Sequence, residues 1–144
     1  MKTFKTFVAI ALAALTHSLT GCKKDNEDLI LGTWTLDSAS ATYTMEGQTR
    51  TESMSPEDAT ETLTFKKDGT LTQNVKYDDG EEEVSDGKWS MKDDKLTIEY
   101  EDSETQMMPR MTFNIEKLDK KNLKLLYKGN LMGTNMEIKM IFKK

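Results

Sequence analysis

From residue 32 onward, apolar and polar side chains alternate with a period of two. Met136, Ile138, Met140 and Phe142 interleave with Glu137, Lys139, Ile141 and Lys143. Leu96, Ile98 and Tyr100 do the same with Lys95, Thr97 and Glu99, and Met111, Phe113 and Ile115 with Thr112, Asn114 and Glu116. Such alternation predicts strands with one buried and one wet face. No window sustains a 3.6-residue period. Turn-favouring residues punctuate the pattern at Lys67-Asp68-Gly69, Asp78-Asp79-Gly80, Lys92-Asp93-Asp94, Asp119 to Asn122 and Lys128-Gly129-Asn130. Eight strands follow, near 32–45, 59–66, 71–77, 84–92, 95–101, 107–118, 123–128 and 131–143. Ser55-Pro56-Glu57-Asp58 offers an N-cap, a first-turn proline and two acids, which predicts a single helical turn after the first strand. A proline-containing loop is the other reading.

Eight short-linked antiparallel strands with one apolar face form either a closed up-and-down barrel or a sandwich. Short hairpins favour sequential neighbours and closure removes exposed edges, so the expected fold is an all-β, eight-stranded antiparallel barrel. The tight turns at 67–69, 93–94 and 119–122 then share a closed end with both termini. The opposite, open end collects the 46–58 connection, the acidic 78–83 loop, the 101–106 loop and the 128–130 turn. Trp34, Phe65, Trp89, Phe113 and Phe142 fall toward the closed end, whereas Tyr43, Tyr77, Tyr100 and Tyr127 ring the open one. A phenol suits a rim because its ring is apolar and its hydroxyl stays hydrated. Any barrel places amphipathic rings where core meets water, so a rim alone does not define a mouth. Met91, Met111, Met136 and Met140 take inward phases, either lining an adaptable cavity or filling the core.

The N-terminus follows a different rule. Lys2 and Lys5 precede a continuous apolar run, Phe7 to Leu15, which is about half the length of a membrane-spanning helix. A basic start, a short apolar stretch and small residues describe a secretory signal peptide. Leu19-Thr20-Gly21-Cys22 resembles the lipobox of bacterial lipoproteins. That resemblance implies cleavage before Cys22 and a thioether-linked diacylglycerol on it, anchoring the protein to a membrane. An ordinary secretory peptide with a chance cysteine is the other reading. Lys23 to Asp28 (KKDNED) reads as a charged tether. It also resembles the Lys-then-acidic signal of surface-exported lipoproteins, with Asn26 interrupting the acidic pair. The chain thus divides into a signal peptide (1–21), a lipidated cysteine with tether (22–29) and a barrel domain (30–144).

Charge and composition narrow the chemistry. The full chain carries 20 basic and 25 acidic side chains, which argues against a phosphate-tracking nucleic-acid binder. Cleavage would leave 18 basic side chains against 25 acidic ones and remove His17, the one histidine. Without histidine or a free thiol, Ser-His-Asp and Cys-His catalysis and nitrogen–sulfur zinc sites are excluded. Asp78 to Glu83 and Glu99 to Glu104 are acidic but lack calcium-loop spacing, so they read as solvated loops. No metal, no cofactor and no catalytic residues are expected.

Gly32-Thr33-Trp34, Phe65 to Thr70 (FKKDGT), Gly87-Lys88-Trp89-Ser90 and Leu96-Thr97-Ile98 together resemble bacterial lipocalin-like lipoproteins. The first of these resembles the Gly-x-Trp opening of a lipocalin. In that family an arginine near the chain's end stacks on the tryptophan. Here the last strand has only Lys139 and Lys143, and no helix follows it. The resemblance implies a small apolar or amphipathic ligand held in the barrel. Its candidate lining is Leu36, Leu63, Val75, Tyr77, Ile98, Tyr100, Met111, Tyr127 and Met136. The alternative is an interaction or structural protein with a filled barrel, meeting a macromolecule through its acidic end. With bulky residues at most inward positions, a small cavity is expected. The address is the outer membrane of a Gram-negative bacterium, facing the periplasm or exposed at the cell surface.

Overall fold

A computed structural model describes residues 22–54, 59–101, 110–131 and 133–144. Helix α1 (Cys22–Ile30) precedes nine strands: β1 (Gly32–Met45), β2 (Gln48–Met54), β3 (Ala59–Phe65), β4 (Thr70–Tyr77), β5 (Glu82–Lys92), β6 (Lys95–Tyr100), β7 (Arg110–Leu118), β8 (Asn122–Leu131) and β9 (Thr134–Lys143). From β3 each strand pairs with the next, β3 pairs with β1, and β9 returns to β1. That return runs antiparallel from Thr35↔Lys143 to Thr44↔Asn135. The ring of eight is therefore closed, where a sandwich would have left edges.

The 46–58 connection, expected as an open-end loop, instead contains the ninth strand. Glu46 and Gly47 both take positive φ, 52° and 78°, the two-residue turn whose twist matches the flanking strands. β2 then pairs back along β1 from Met45↔Gln48 to Ala39↔Met54. Lower down, β3 occupies the same edge of β1 from Thr35↔Thr62 to Gly32↔Phe65. β2 and β3 thus share one edge of β1. The helical turn expected at Ser55–Asp58 lies outside the described residues.

Apolar side chains fill the closed end. Trp34, Phe65, Leu71, Leu96, Leu123, Leu125 and Phe142 are buried there, and Trp89 sets its ring edge-on to Phe65 at 5.6 Å. Helix α1 seals the bottom: Ile30 is fully buried, and its carbonyl accepts the Trp34 Nε1 hydrogen at 2.7 Å. Lys144 Nζ lies 4.6 Å from the Trp34 ring centroid and donates to the carbonyls of Leu29 and Leu31. The basic partner of the tryptophan is therefore Lys144, one position past β9, rather than a residue of the strand. The charged stretch read as a tether is helical. Asn26, Glu27 and Asp28 remain exposed while Ile30 turns into the core.

Turn chemistry fixes the closed-end hairpins. Asp68 accepts from the Thr70 amide and hydroxyl at 2.9 and 2.7 Å, and Asp119 accepts from the Lys121 and Asn122 amides, both at 2.8 Å. These bonds favour the charged form and hold both carboxyls below the usual range. The outer face is wet, with threonine pairs bridging neighbouring strands at Thr33–Thr64 and Thr97–Thr112.

Above the plug the wall parts. β7 and β8 pair only between Asn114↔Leu126 and Leu118↔Leu123, whereas β8 and β9 continue to Leu131↔Thr134. A bulge between Leu36 and Ser38 bends β1 there. It brings Ala39, Ala41 and Tyr43 opposite Met140, Ile138 and Met136. β2, β1, β9 and the end of β8 thus rise as one wall, facing another formed by β3 to β7.

Candidate functional site

A cavity of about 300 Å³ lies inside the ring, above the plug. Phe113 from β7, Leu125 from β8 and Met140 from β9 line it together with Leu63, Ile98, Met111 and Ile138. These are the inward positions of their strands, so the alternation read from sequence is what makes the wall apolar. The volume sits at the lower limit of the usual range for small-molecule sites.

Three side chains interrupt that apolar lining: Glu61, Gln73 and Tyr100. Glu61 and Gln73 come from adjacent strands in register, Glu61 opposite Val75 and Gln73 opposite Leu63. The Gln73 amide donates to Glu61 Oε1 at 2.7 Å. Burial raises the Glu61 carboxyl above its ordinary range, and the Gln73 bond only partly offsets this. Burial also raises the Tyr100 phenol far above its ordinary range, with a smaller contribution from the Glu61 charge. Among the described residues, Glu61 forms no ion pair. No fully buried side-chain polar atom among the described residues lacks a partner. Glu61 Oε2 and Tyr100 Oη have no hydrogen bond among those residues, and both side chains line the cavity.

Of the nine residues expected to line the site, Leu63, Ile98, Tyr100 and Met111 do so. Leu36 belongs to the plug, a layer below, where it pairs with Phe142. Val75 is half-buried opposite Glu61 and is not part of the cavity lining. Tyr77 stands exposed at the end of β4, its hydroxyl donating to Glu83 Oε2 at 3.3 Å. Tyr127 packs against Phe113 at 6.1 Å and lies over Gly129, where a β-carbon would come within 2.2 Å of its hydroxyl. Met136 is not part of this cavity's lining and borders a separate groove near Thr42, Thr44, Lys128 and Glu137. Of the expected tyrosine collar only Tyr100 lines this cavity, while Tyr43, half-buried on β1, borders a separate groove with Met45 and Arg50. Glu61 and Gln73 escaped sequence reasoning, although each sits at an inward phase, Glu61 two before Leu63 and Gln73 two after Leu71.

Among the described residues, no group of three or more histidine, cysteine, aspartate or glutamate side chains could hold a metal ion. No described helix is long and apolar enough to cross a membrane.

Comparison with known proteins agrees with this architecture. A lipocalin-like protein from Bacteroides uniformis is 22% identical, spans 81% of this chain and 98% of its own, and superposes with a TM-score of 0.51. An uncharacterized protein from Bacteroides eggerthii is 20% identical over 79% of this chain and 98% of its own, with a TM-score of 0.50. Lobster apocrustacyanin A1 is 16% identical over 85% of this chain and 64% of its own, with a TM-score of 0.52. At these identities the likeness is one of fold. Among curated proteins, no sequence matches the chain. The family model of the lipocalin-like domain matches residues 30–125, from the buried Ile30 under Trp34 to Leu125 in the cavity wall. With two thirds of its length so matched and its ring closed in the same way, this chain belongs to the lipocalin-like domain family.

Proposed function

We propose that this protein is a non-catalytic lipoprotein, anchored through Cys22, whose barrel binds a small apolar or amphipathic molecule. The observation that carries the binding reading is the cavity of about 300 Å³. Its wall is apolar, and Glu61 and Tyr100 place polar groups in it. A filled barrel would offer neither. Native mass spectrometry of protein extracted from its own membranes tests the reading. A bound small molecule is expected on the wild type and not on Met111→Trp, which fills the cavity. Bare wild-type protein, or an adduct that survives the substitution, would refute it and favour the interaction alternative.

The anchor reading rests on the signal-like N-terminus and on where the chain enters the barrel. Helix α1 begins at Cys22 and ends at Ile30 beneath Trp34, so a lipid on Cys22 would tether the closed end. The cavity would then face away from the bilayer. We place the protein at the outer membrane of a Gram-negative bacterium, on the periplasmic side or at the surface. Cys22→Ala should shift it from the membrane to the soluble fraction, and a variant that stays membrane-bound while unprocessed wild type predominates would sink the proposal. Protease shaving of intact cells separates the two sides.

A further inference from the structure

Among the described residues, the single formal charge in the cavity lining is negative. Glu61 shares one oxygen with Gln73 and keeps the other without a hydrogen bond among the described residues, of which no lysine or arginine lines the cavity to neutralise it. Tyr100 lines the same cavity, and the rings of Tyr100 and Phe113 belong to the same wall. An anionic head group would meet Glu61 with no compensating cation. An apolar one would leave the carboxylate desolvated and half-paired.

We infer, building on the binding reading, that the cavity is made for an amphipathic amine, its ammonium group against Glu61 and its hydrocarbon body against Ile98, Met111 and Met140. An ammonium group supplies what the lining lacks: a positive charge and three hydrogen-bond donors. Glu61 Oε2 and Tyr100 Oη accept two of these, and an aromatic face accepts the charge. Gln73 holds the carboxylate in place by donating to its other oxygen. The burial that raises the Glu61 carboxyl is the cost a bound cation removes. The acidic β4–β5 connection adds to the negative field at the same end of the barrel, which concentrates cations there. At roughly 30 Å³ per non-hydrogen atom, the cavity takes about ten such atoms, a molecule near the size of octylamine.

The test is calorimetric titration of full-chain Cys22→Ala protein with octylamine, octan-1-ol and octanoate at neutral pH. Octylamine should bind at least tenfold more tightly than either of the others. In the additional variant Glu61→Gln that preference should collapse, with octan-1-ol affinity changed by less than about twofold. Octan-1-ol binding as tightly as octylamine, or octanoate more tightly, overturns the amine assignment and leaves the carrier reading standing. An amine preference that survives Glu61→Gln also overturns it, because the attraction then comes from the acidic surface. If none of the three binds, the amine assignment and the carrier reading fall together.

Discussion

Replacing Trp34 with alanine probes the closed end most directly. The indole is fully buried, donates to the Ile30 carbonyl at 2.7 Å and lies under the Lys144 ammonium. Truncating a buried Trp or Phe costs about 3–5 kcal/mol in transfer and cavity terms. The stranded Ile30 carbonyl costs about 1 kcal/mol more. The lost cation–π contact adds about 0.5–1 kcal/mol, the exposed-site value, because Lys144 is exposed. Together these terms give an expected loss of about 4.5–7 kcal/mol. That is a large share of the roughly 5–15 kcal/mol that holds a domain folded. Urea unfolding can be followed by the fluorescence of Trp89, the one tryptophan that remains. Trp89 sits against Phe65 and donates to the Lys66 carbonyl at 2.9 Å, so it reports on the same core. A loss below about 1 kcal/mol at unchanged denaturant slope would refute the reasoning, since no buried tryptophan so partnered is that dispensable.

Three further outcomes are expected. Lys144→Met and Trp34→Leu, combined in a double-mutant cycle, should couple by about 0.5–1 kcal/mol; additivity within error would show that the ammonium–ring approach contributes nothing. Burial raises the Glu61 carboxyl, so the folded protein holds that proton more tightly than the unfolded chain. This favours folding below the ordinary carboxylate range and is lost as pH rises through the folded value. Glu61→Gln should therefore raise neutral-pH stability of ligand-free protein in denaturant titrations, and a decrease would contradict the burial argument. Gly87→Ala would set a β-carbon 2.6 Å from the Glu99 carbonyl oxygen, forcing β5 and β6 apart. A loss of about 1–3 kcal/mol, typical of overpacking, should appear in the same titrations, and a neutral result would show that the pair yields freely.

The barrel was legible because most strands carry their own punctuation. Leu96, Ile98 and Tyr100 announce an inward face, and Lys92-Asp93-Asp94 before them announces a hairpin. β2 was not legible: QTRTESM has no apolar residue before Met54, and its position depends on pairing with β1. The bulge after Leu36 was equally silent, because an inserted residue changes which side chains face inward without changing composition. The site was half visible. Leu63, Ile98 and Met111 follow from phase alone, whereas Leu36 and Tyr127 share that phase but are spent on the plug and on Phe113. Periodicity gives the face of a residue but not its level in the barrel. Glu61 and Gln73 were hidden by the habit of reading inward positions as apolar. A polar residue at such a phase is the stronger signal.

The closure between β1 and β9 also governs how the fold is reached. Lys144 binds the carbonyl of Leu29, 115 positions away, and β1 must wait for β9 before its second edge is satisfied. Drawing such distant segments together costs an entropy that grows only logarithmically with the intervening length. The contacts that repay it nevertheless form late, so the high sequence separation predicts slow folding, on the order of milliseconds to seconds. Until β9 arrives, one edge of β1 stays open to pairing with other chains. The closure therefore covers that edge of β1 in the native protein, while leaving the nascent chain exposed along it until the last strand is in place.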